Sequence, residues 1–386
     1  MKTISAIYDE IFSDENNFYY PNVKALRIKD WTEQEALIFI KTYFEVGSKE
    51  IFCKQNMLEK YNRAVHTVSL YALGIFLYEK MGINCKINNV IGGKDSFLYI
   101  WYMTCLYHDM GYVYENSQGR DLDGCETLDL FIKKVLEGEP YLFYKGNKEN
   151  ASLEELCRNY YKYIYETRGH VDHGVVGGII LYHNLIRNYK EKKQKSGSGN
   201  ETKFYDEAKN VWFSKDLFPY YKLAAMLIAR HNMWYASPEK SEAYKAAGLD
   251  KLILNREQRI NLEKAKPEMK LLFLLCFADT IEPLKVYNQC NTQFVLEHLK
   301  LDIAKSSTGL NVGFYVDTSV LMVSVLEERI KSLEEFLDVE CKTEMLSNEC
   351  VRVRIVIKKS TGDEYSEYNQ SFNRNACLEF LDTGEI

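Results

Sequence analysis

Histidine and aspartate residues recur at the ends of strongly apolar segments, where a buried charge is costly unless it is paired. The adjacent pair His108-Asp109 follows the apolar run from Phe97 to Tyr107. A divalent metal is a suitable partner, because a carboxylate can bridge two cations while the neighbouring imidazole binds one of them. The other candidate ligands in comparable apolar contexts are His66, His170, His173, His231 and Asp279.

Helices must position these residues, because the apolar residues around them recur at helical spacing. Only six prolines occur in 386 residues, so long helices are not interrupted. The helix that carries His66 ends at Gly82, and Thr32 with Glu35 forms a capping box for an earlier helix. The predicted helices are 32–45, 54–81, 97–107, 127–136, 153–165, 175–186, 217–230 and 268–281.

The chain after Val286 has a different pattern, in which short β-like runs flank one helix and indicate a small α+β region. The runs are 310–316, 321–325 and 351–357, and the helix is 327–337. The stretch 190–210 has the composition of a flexible surface insertion. We therefore predict a mainly α fold with a helical lead-in at 1–53, a helical domain at 54–286 and an α+β appendage at 287–386.

Composition limits the classes of function that fit this chain. A net charge of −6 and a pI near 5.8 disfavour a sequence-independent grip on nucleic acid, which needs many lysine and arginine contacts. The longest apolar run, 271–278, is too short for a bilayer, which needs about 20 residues. Ten cysteines without a C-x-x-C pair, and no charged-then-apolar leader, predict a reduced cytoplasmic protein.

The candidate ligands follow the order H…HD…H…H…D on successive predicted helices. This order resembles the HD-domain superfamily of metal-dependent phosphohydrolases, over about Tyr61 to Leu284. The resemblance implies a helical-bundle core and a centre in which Asp109 bridges two divalent metal ions. The implied ligands are His66, His108 and Asp279 for one metal, and His173 and His231 for the other.

Two bridged cations would lower the pKa of a shared water and supply hydroxide for attack on phosphorus, so no protein nucleophile is needed. Histidine-rich, carboxylate-bridged sites accept several metals, so Mn, Fe, Co, Ni, Mg and Zn all fit. Asp109 is catalytic in this scheme, and His170 is a candidate general acid, phosphate contact or structural residue. The candidates for binding substrate phosphate, by adjacency to ligands, are Arg63, Arg168 and Arg230.

Several of these residues also have a purely structural explanation. His66 could be a core histidine bonded to backbone, and His231 could cap the helix that ends at Arg230. Asp279 could bond to Thr280 or to a basic group instead of a metal. These alternatives stay open on sequence alone.

His170 and His173 are three residues apart, so on one helix both would face the same cavity. His173 is favoured as the ligand, because His173-Gly174 and the small-residue helix that follows resemble the third histidine motif of two-metal HD enzymes. In that helix Gly177 and Gly178 would permit a neighbouring helix to approach closely. Three aromatic residues could stack on a base or simply fill the core: Tyr112, Trp234 and Tyr235.

The chain departs from the HD pattern at two places. Gly111-Tyr112 stands where many HD phosphodiesterases have a lysine shortly after His-Asp, so a lysine role in substrate binding is not carried over. The sequence after His231 is Asn-Met-Trp-Tyr and lacks the Gly-Tyr-Pro of the cyclic-di-GMP-cleaving subgroup. That subgroup is therefore disfavoured.

The leading hypothesis is a metal-dependent phosphohydrolase that acts on a nucleotide or another small phosphoester. One alternative is an HD-type nuclease for single-stranded nucleic acid, which the acidic net charge disfavours and which would use the lysines at 190–195. A second alternative is a noncatalytic module that senses a nucleotide. No membrane partner is expected, and neither the substrate nor the oligomeric state follows from the sequence.

Overall fold

A computed structural model of the chain contains two compact units. The first comprises Met1–Phe44, Leu58–Cys85 and Asn255–Asn369, and the second comprises Glu45–Met57, Lys86–Leu254 and Gln370–Ile386. Within them, the structure describes residues 1–18, 33–40, 63–83, 94–115, 122–136, 148–196, 203–206, 211–214, 218–253, 259–307 and 309–358.

Most of the described residues are helical. In chain order the helices are α1 (Ile4–Ser13), α2 (Glu33–Phe39), α3 (Arg63–Met81), α4 (Lys94–Tyr107), α5 (Tyr112–Glu115), α6 (Leu128–Val135), α7 (Lys148–Arg168), α8 (His173–Ser196), α9 (Phe218–His231), α10 (Ser241–Ala246), α11 (Pro267–Ile281), α12 (Pro283–Val286), α13 (Thr292–His298) and α14 (Val323–Leu333).

The strands are β1 (Lys2–Thr3), β2 (Lys203–Asp206), β3 (Val211–Ser214), β4 (Lys300–Ser306), β5 (Gly309–Asp317), β6 (Val339–Ser347) and β7 (Cys350–Lys358). In the first unit an antiparallel sheet has the order β1-β4-β5-β7-β6. In the second unit β2 and β3 form a separate antiparallel pair.

Helices α3 and α11 are the central helices of the first unit. Every residue from Ala64 to Leu77 and from Leu271 to Ile281 is buried, so both helices are enclosed around their whole circumference. Helices α1, α2, α11 and α12 all pack against α3. His66 and Asp279 are therefore carried by the most enclosed helices of this unit.

The five-stranded sheet has one buried face and one more exposed face. Along β7, Val351, Val353 and Ile355 are buried, while Arg352 and Arg354 between them are only partly buried, as the two-residue period of a strand requires. Helix α14 packs against β6 and β7 through an amphipathic face. The buried residues of that face are Leu326, Ile330 and Leu333.

Close backbone contacts define the core of the second unit, where α8 passes α9 and the end of α4. A Cβ atom at Gly178 would overlap the backbone of Ala225 and lie 2.8 Å from the backbone nitrogen of Ala229. A Cβ atom at Gly177 would lie 2.9 Å from the carbonyl oxygen of Tyr107. The prediction that these two glycines permit close helix approach is confirmed.

The structure contains most of the predicted helices, with ends shifted by at most five residues within the described chain except for α8, which ends ten residues after the predicted end at 186. The side chain of Thr127 accepts the backbone N–H of Leu130 and so caps α6. Helix α2 lies within the predicted helix 32–45, of which residues 32 and 41–45 lie outside the described residues, as do residues 54–62 of another. The sheet in the C-terminal part of the chain agrees with the predicted α+β character, and the fold is mainly helical.

The strand predicted at 321–325 is wrong, because α14 begins at Val323 and ends at Leu333, four residues before the predicted helix end. Its two valines suggested a strand, but the spacing of buried residues in this segment is helical. Strands β4 and β6 were not predicted, since most of their residues are exposed or only partly buried and show no clean alternation. These two segments are strands because they pair with β5 and β7, and not because of a local sequence pattern.

Two further expectations differ from the structure. In the stretch 190–210, residues 190–196 continue α8 and residues 203–206 pair with 211–214, so much of it has regular secondary structure. The two units also divide the chain differently from the three predicted parts, since α3 and α11 belong with the sheet and not with α4 to α10. Among the described helices, none combines the length and apolar character needed to span a bilayer.

The contact at Gly178 predicts a stability effect. The substitution Gly178→Ala places a methyl group against the backbone of α9, which cannot move as a side chain can, so we expect a loss of about 1–3 kcal/mol in the free energy of unfolding. Chemical denaturation measures it. Ala243→Ser, which adds one atom at an exposed position of α10, should change stability by less than about 0.5 kcal/mol. Equal effects would contradict the packing argument.

Candidate metal centre

Three predicted ligands meet in the second unit: Asp109, His173 and His231. One nitrogen or oxygen atom from each lies within 4.8 Å of the others, and all three side chains are buried. The turn after α4 positions Asp109, the first residue of α8 is His173, and the last residue of α9 is His231. Two imidazoles and one carboxylate in a buried cluster suit a divalent transition metal, so the donor set fits such an ion.

His108 lies beside this cluster and is completely buried. Its Nε2 atom is 3.4 Å from Oδ1 of Asp109, and its ring lies edge-on to that of His231 with centroids 5.8 Å apart. His173 and His231 have a similar edge-on arrangement at 5.3 Å. Three histidine rings and one carboxylate therefore occupy one buried region of the second unit.

Backbone carbonyls fix the tautomer of two of these histidines. Nδ1 of His108 donates to the carbonyl of Cys105 at 2.8 Å, and Nδ1 of His231 donates to the carbonyl of Ile228 at 2.6 Å. Because a carbonyl oxygen can only accept, Nδ1 carries the proton. Nε2 then holds the lone pair in the neutral imidazole, which is the state required of a metal ligand.

A carboxylate performs the same role for His173. Nδ1 of His173 donates to Oε2 of Glu115 at 2.7 Å, and the backbone N–H of His173 donates to the same oxygen at 3.2 Å. Tyr112 stacks on the His173 ring with centroids 3.8 Å apart and planes within 14°. The ring is thus held at one edge and on one face, which limits its rotation.

Acidic neighbours set the electrostatics of His173. Burial alone would lower the pKa of this histidine, but the hydrogen bond to Glu115 and the charges of Asp172 and Asp109 raise it above its ordinary value. Burial raises the pKa of Asp172, which accepts hydrogen bonds from the backbone of Val175 at 2.8 Å and from Asn232 at 2.6 Å. The carboxylates around the His173 imidazole therefore favour the binding of a cation at this position.

Glycines let the ligands approach one another. A Cβ atom at Gly111 would overlap the backbone of His173, and one at Gly174 would lie 3.1 Å from the ring of His231. Neither position could carry a larger side chain without moving a candidate ligand. Gly111 therefore has a packing role in this chain.

His66 and Asp279 meet each other in the first unit. Nε2 of His66 lies 3.1 Å from Oδ1 of Asp279, while Nδ1 of His66 lies 2.9 Å from Oε2 of Glu282. Glu282 is fully buried and also accepts from the Ser69 hydroxyl and from the backbone N–H groups of residues 284 and 285. The alternative that His66 is bonded to backbone does not hold, since its Nδ1 faces a carboxylate.

A basic group does compensate Asp279, as one alternative anticipated. Nζ of Lys285 lies 2.7 Å from both carboxylate oxygens of Asp279. The charge of Asp279 is therefore balanced within the first unit. The predicted metal site that combines His66 and Asp279 with His108 and Asp109 draws on both units and stays a prediction.

His170 does not share a helical face with His173. The chain bends after Gly169, which has a φ of 71°, and α8 begins only at His173. Nδ1 of His170 lies 3.0 Å from the carbonyl of Val171 and 3.8 Å from Glu115, and the side chain is 31% exposed. The expectation of a shared helical face is wrong, but both histidines lie next to the same glutamate.

The predicted phosphate-binding arginines have varied environments. Arg168 is exposed at the end of α7, and Arg63 and Arg230 are partly buried at the start of α3 and near the end of α9. Burial raises the pKa of Cys157, and the charge of Arg230 opposes that rise, so this arginine lies close to α7. Their role in binding phosphate stays a prediction.

Sequence reasoning missed Glu115, Glu282 and Lys285. Glu115 acts on a histidine 58 positions away, and Glu282 acts on one 216 positions away, so no local spacing relates either pair. Only a chemical argument could have pointed to these glutamates, because a histidine that ligates a metal usually donates its other N–H to a carboxylate or a carbonyl. A search for acidic residues near apolar helix ends would have included both glutamates.

Comparison with known proteins identifies no relative of this chain: no family model matches it, and no similar protein is found among curated proteins or solved structures.

The cluster predicts metal binding that depends on its members. After treatment with a chelator and reconstitution with Mn²⁺ or Zn²⁺, we expect Asp109→Ala and His231→Ala each to weaken binding at least about tenfold, because each removes a ligand from a buried site. Calorimetry and elemental analysis measure affinity and stoichiometry. His298→Ala, at a histidine that stacks on Phe294, should bind as the unaltered protein does. Unchanged binding in the first two variants would refute the assignment.

Substitutions of Glu115 separate its charge from its hydrogen bond. An amide oxygen still accepts the His173 proton, so Glu115→Gln should weaken metal affinity less than Glu115→Ala, for which we expect about a 10- to 100-fold loss. The measurement is the same titration. Glu126→Gln removes the same charge at an exposed position and should have no effect. If both Glu115 variants bind normally, this residue does not position His173.

Proposed function

We propose that this protein is a metal-dependent phosphohydrolase that acts on a nucleotide or another small phosphoester. The observation that carries the proposal is the buried cluster of Asp109, His173 and His231, with His108 beside it. These are four of the six ligands expected from the H…HD…H…H…D order. Membership of the HD superfamily is part of this proposal and rests on that order.

The cluster would hold a divalent cation through the Asp109 carboxylate and the Nε2 atoms of its histidines. When bound, such a cation supplies Lewis acidity and lowers the pKa of a coordinated water towards neutrality. A second divalent ion would be held by His66, His108, Asp109 and Asp279, as the sequence pattern implies. Mn, Fe, Co, Ni, Mg and Zn all suit these ligands.

The side chains of the chain itself position groups and hold protons. Glu115 keeps the proton of His173 on Nδ1, and the carbonyls of Cys105 and Ile228 do so for His108 and His231. His170 is more exposed than the ligands and lies 3.8 Å from Glu115, so it suits a proton donor to a leaving group at the mouth of the site. Arginine side chains would neutralise substrate phosphate.

A substrate panel tests the function. Protein loaded with Mn²⁺ should hydrolyse at least one member of a set of nucleoside phosphates, cyclic nucleotides and bis(p-nitrophenyl) phosphate, with products separated by chromatography. A chelator should abolish turnover and added metal should restore it. Asp109→Ala should reduce turnover to background, because it removes the central carboxylate.

Specific outcomes would redirect the assignment. His298→Ala should retain full activity, which separates a site effect from general damage. Loaded protein that is inert on the whole panel contradicts the proposal, and metal-dependent cutting of single-stranded DNA would place the nuclease alternative first. Tight nucleotide binding without turnover would instead favour the sensing module.

A further inference from the structure

A cavity of about 320 Å³ lies within the first unit, apart from every candidate ligand. Its walls come from the end of α3, the start of α11 and the adjoining ends of β4, β5 and β7. This volume is at the lower end of the range for pockets that bind small molecules. Among the described residues, none of those that line it belongs to the proposed metal chemistry.

Positive charge is concentrated in this cavity. Lys270, Lys305 and Lys358 line it, against a single acidic residue, Glu263. The three lysines come from α11, β4 and β7, so folding and not a local run of basic sequence brings them together. One of them, Lys358, also lies 4.0 Å from Glu340. Such a cluster is notable in a chain whose net charge is −6.

Apolar side chains form the rest of the wall. Met81, Ile83 and Ile357 contribute and are themselves at most 8% exposed, and Leu262 and Leu310 complete this part. A ligand here would meet ammonium groups and hydrocarbon within one small cavity. Lysine ammonium groups bind phosphate as point charges, while an apolar wall suits a ring.

We propose that this cavity binds a phosphorylated small molecule of nucleotide size, with its phosphate at the lysines and its apolar part against the hydrocarbon wall. This binding site is separate from the proposed metal ligands of the same unit. Along α11, Lys270 precedes Asp279 by about 14 Å, and along α3, Met81 follows His66 by about 22 Å, at 1.5 Å per residue. A small molecule bound in the cavity therefore does not contact His66 or Asp279.

Calorimetric titration with three probes in excess chelator tests the proposal without any metal chemistry. ADP carries both features, adenosine lacks the phosphates, and inorganic phosphate lacks the ring. We expect ADP to bind more tightly than either of the other probes and to weaken as ionic strength rises. No binding of ADP, or phosphate that binds as tightly as ADP, would overturn the proposal.

Variants locate the binding site. Lys305→Gln and Lys358→Gln should each raise the dissociation constant for ADP about tenfold, because each removes one charge from the phosphate. Lys331→Gln removes an exposed charge on α14 and should leave it unchanged. Ser306→Trp, at an exposed position on the cavity wall, should block binding sterically without altering charge. Equal effects in all variants, or none, would refute the site.

Discussion

The candidate centre of the second unit depends on which ring nitrogen carries the proton in its three buried histidines. His108 and His231 each donate from Nδ1 to the carbonyl three residues earlier in a helix, and His173 donates from Nδ1 to Glu115. In the first unit both ring nitrogens of His66 face carboxylates. Helix ends supply the first kind of acceptor, so His108 and His231 are oriented by their own secondary structure. His66 and His173 need a carboxylate from another segment. A hydrogen bond from Nδ1 does not by itself identify a metal ligand, since His298 also donates to a helix carbonyl, that of Phe294. A carboxylate acceptor, partly buried in Glu115 and fully buried in Glu282, is costly to place there and is typical of the partner of a metal-binding histidine.

Close backbone packing supports this chemistry in the second unit. Side chains at Gly111 or Gly174 would meet His173 or His231, and side chains at Gly177 or Gly178 would separate α8 from its neighbours. The helices that carry the ligands therefore lie nearer to one another than helices with ordinary side chains at their contact. These four glycines therefore allow the candidate ligand atoms to lie close together.

The helices and the ligand types were predictable from the sequence, because apolar spacing and buried polar residues are local signals. Asp109, His173 and His231 come together as their order implied. Partners that act across the chain were not predictable, and Glu115 and Lys285 are the clearest examples. Strand β6 was missed and the start of α14, at Val323, was misplaced for a related reason, since pairing and packing with distant segments overrode weak local patterns.

The bond between Lys285 and Asp279 has a consequence for how this protein would be supplied with metal. In many small metalloproteins the cation itself balances the ligand charges, so the chain is unfolded without it. Here the ammonium group of Lys285 already neutralises Asp279, and Glu282 accepts hydrogen bonds from hydroxyl, imidazole and backbone donors. The charge of Asp279 is thus compensated by the chain itself. Under the proposed function, the packing of these side chains and the loading of metal would then be separate events.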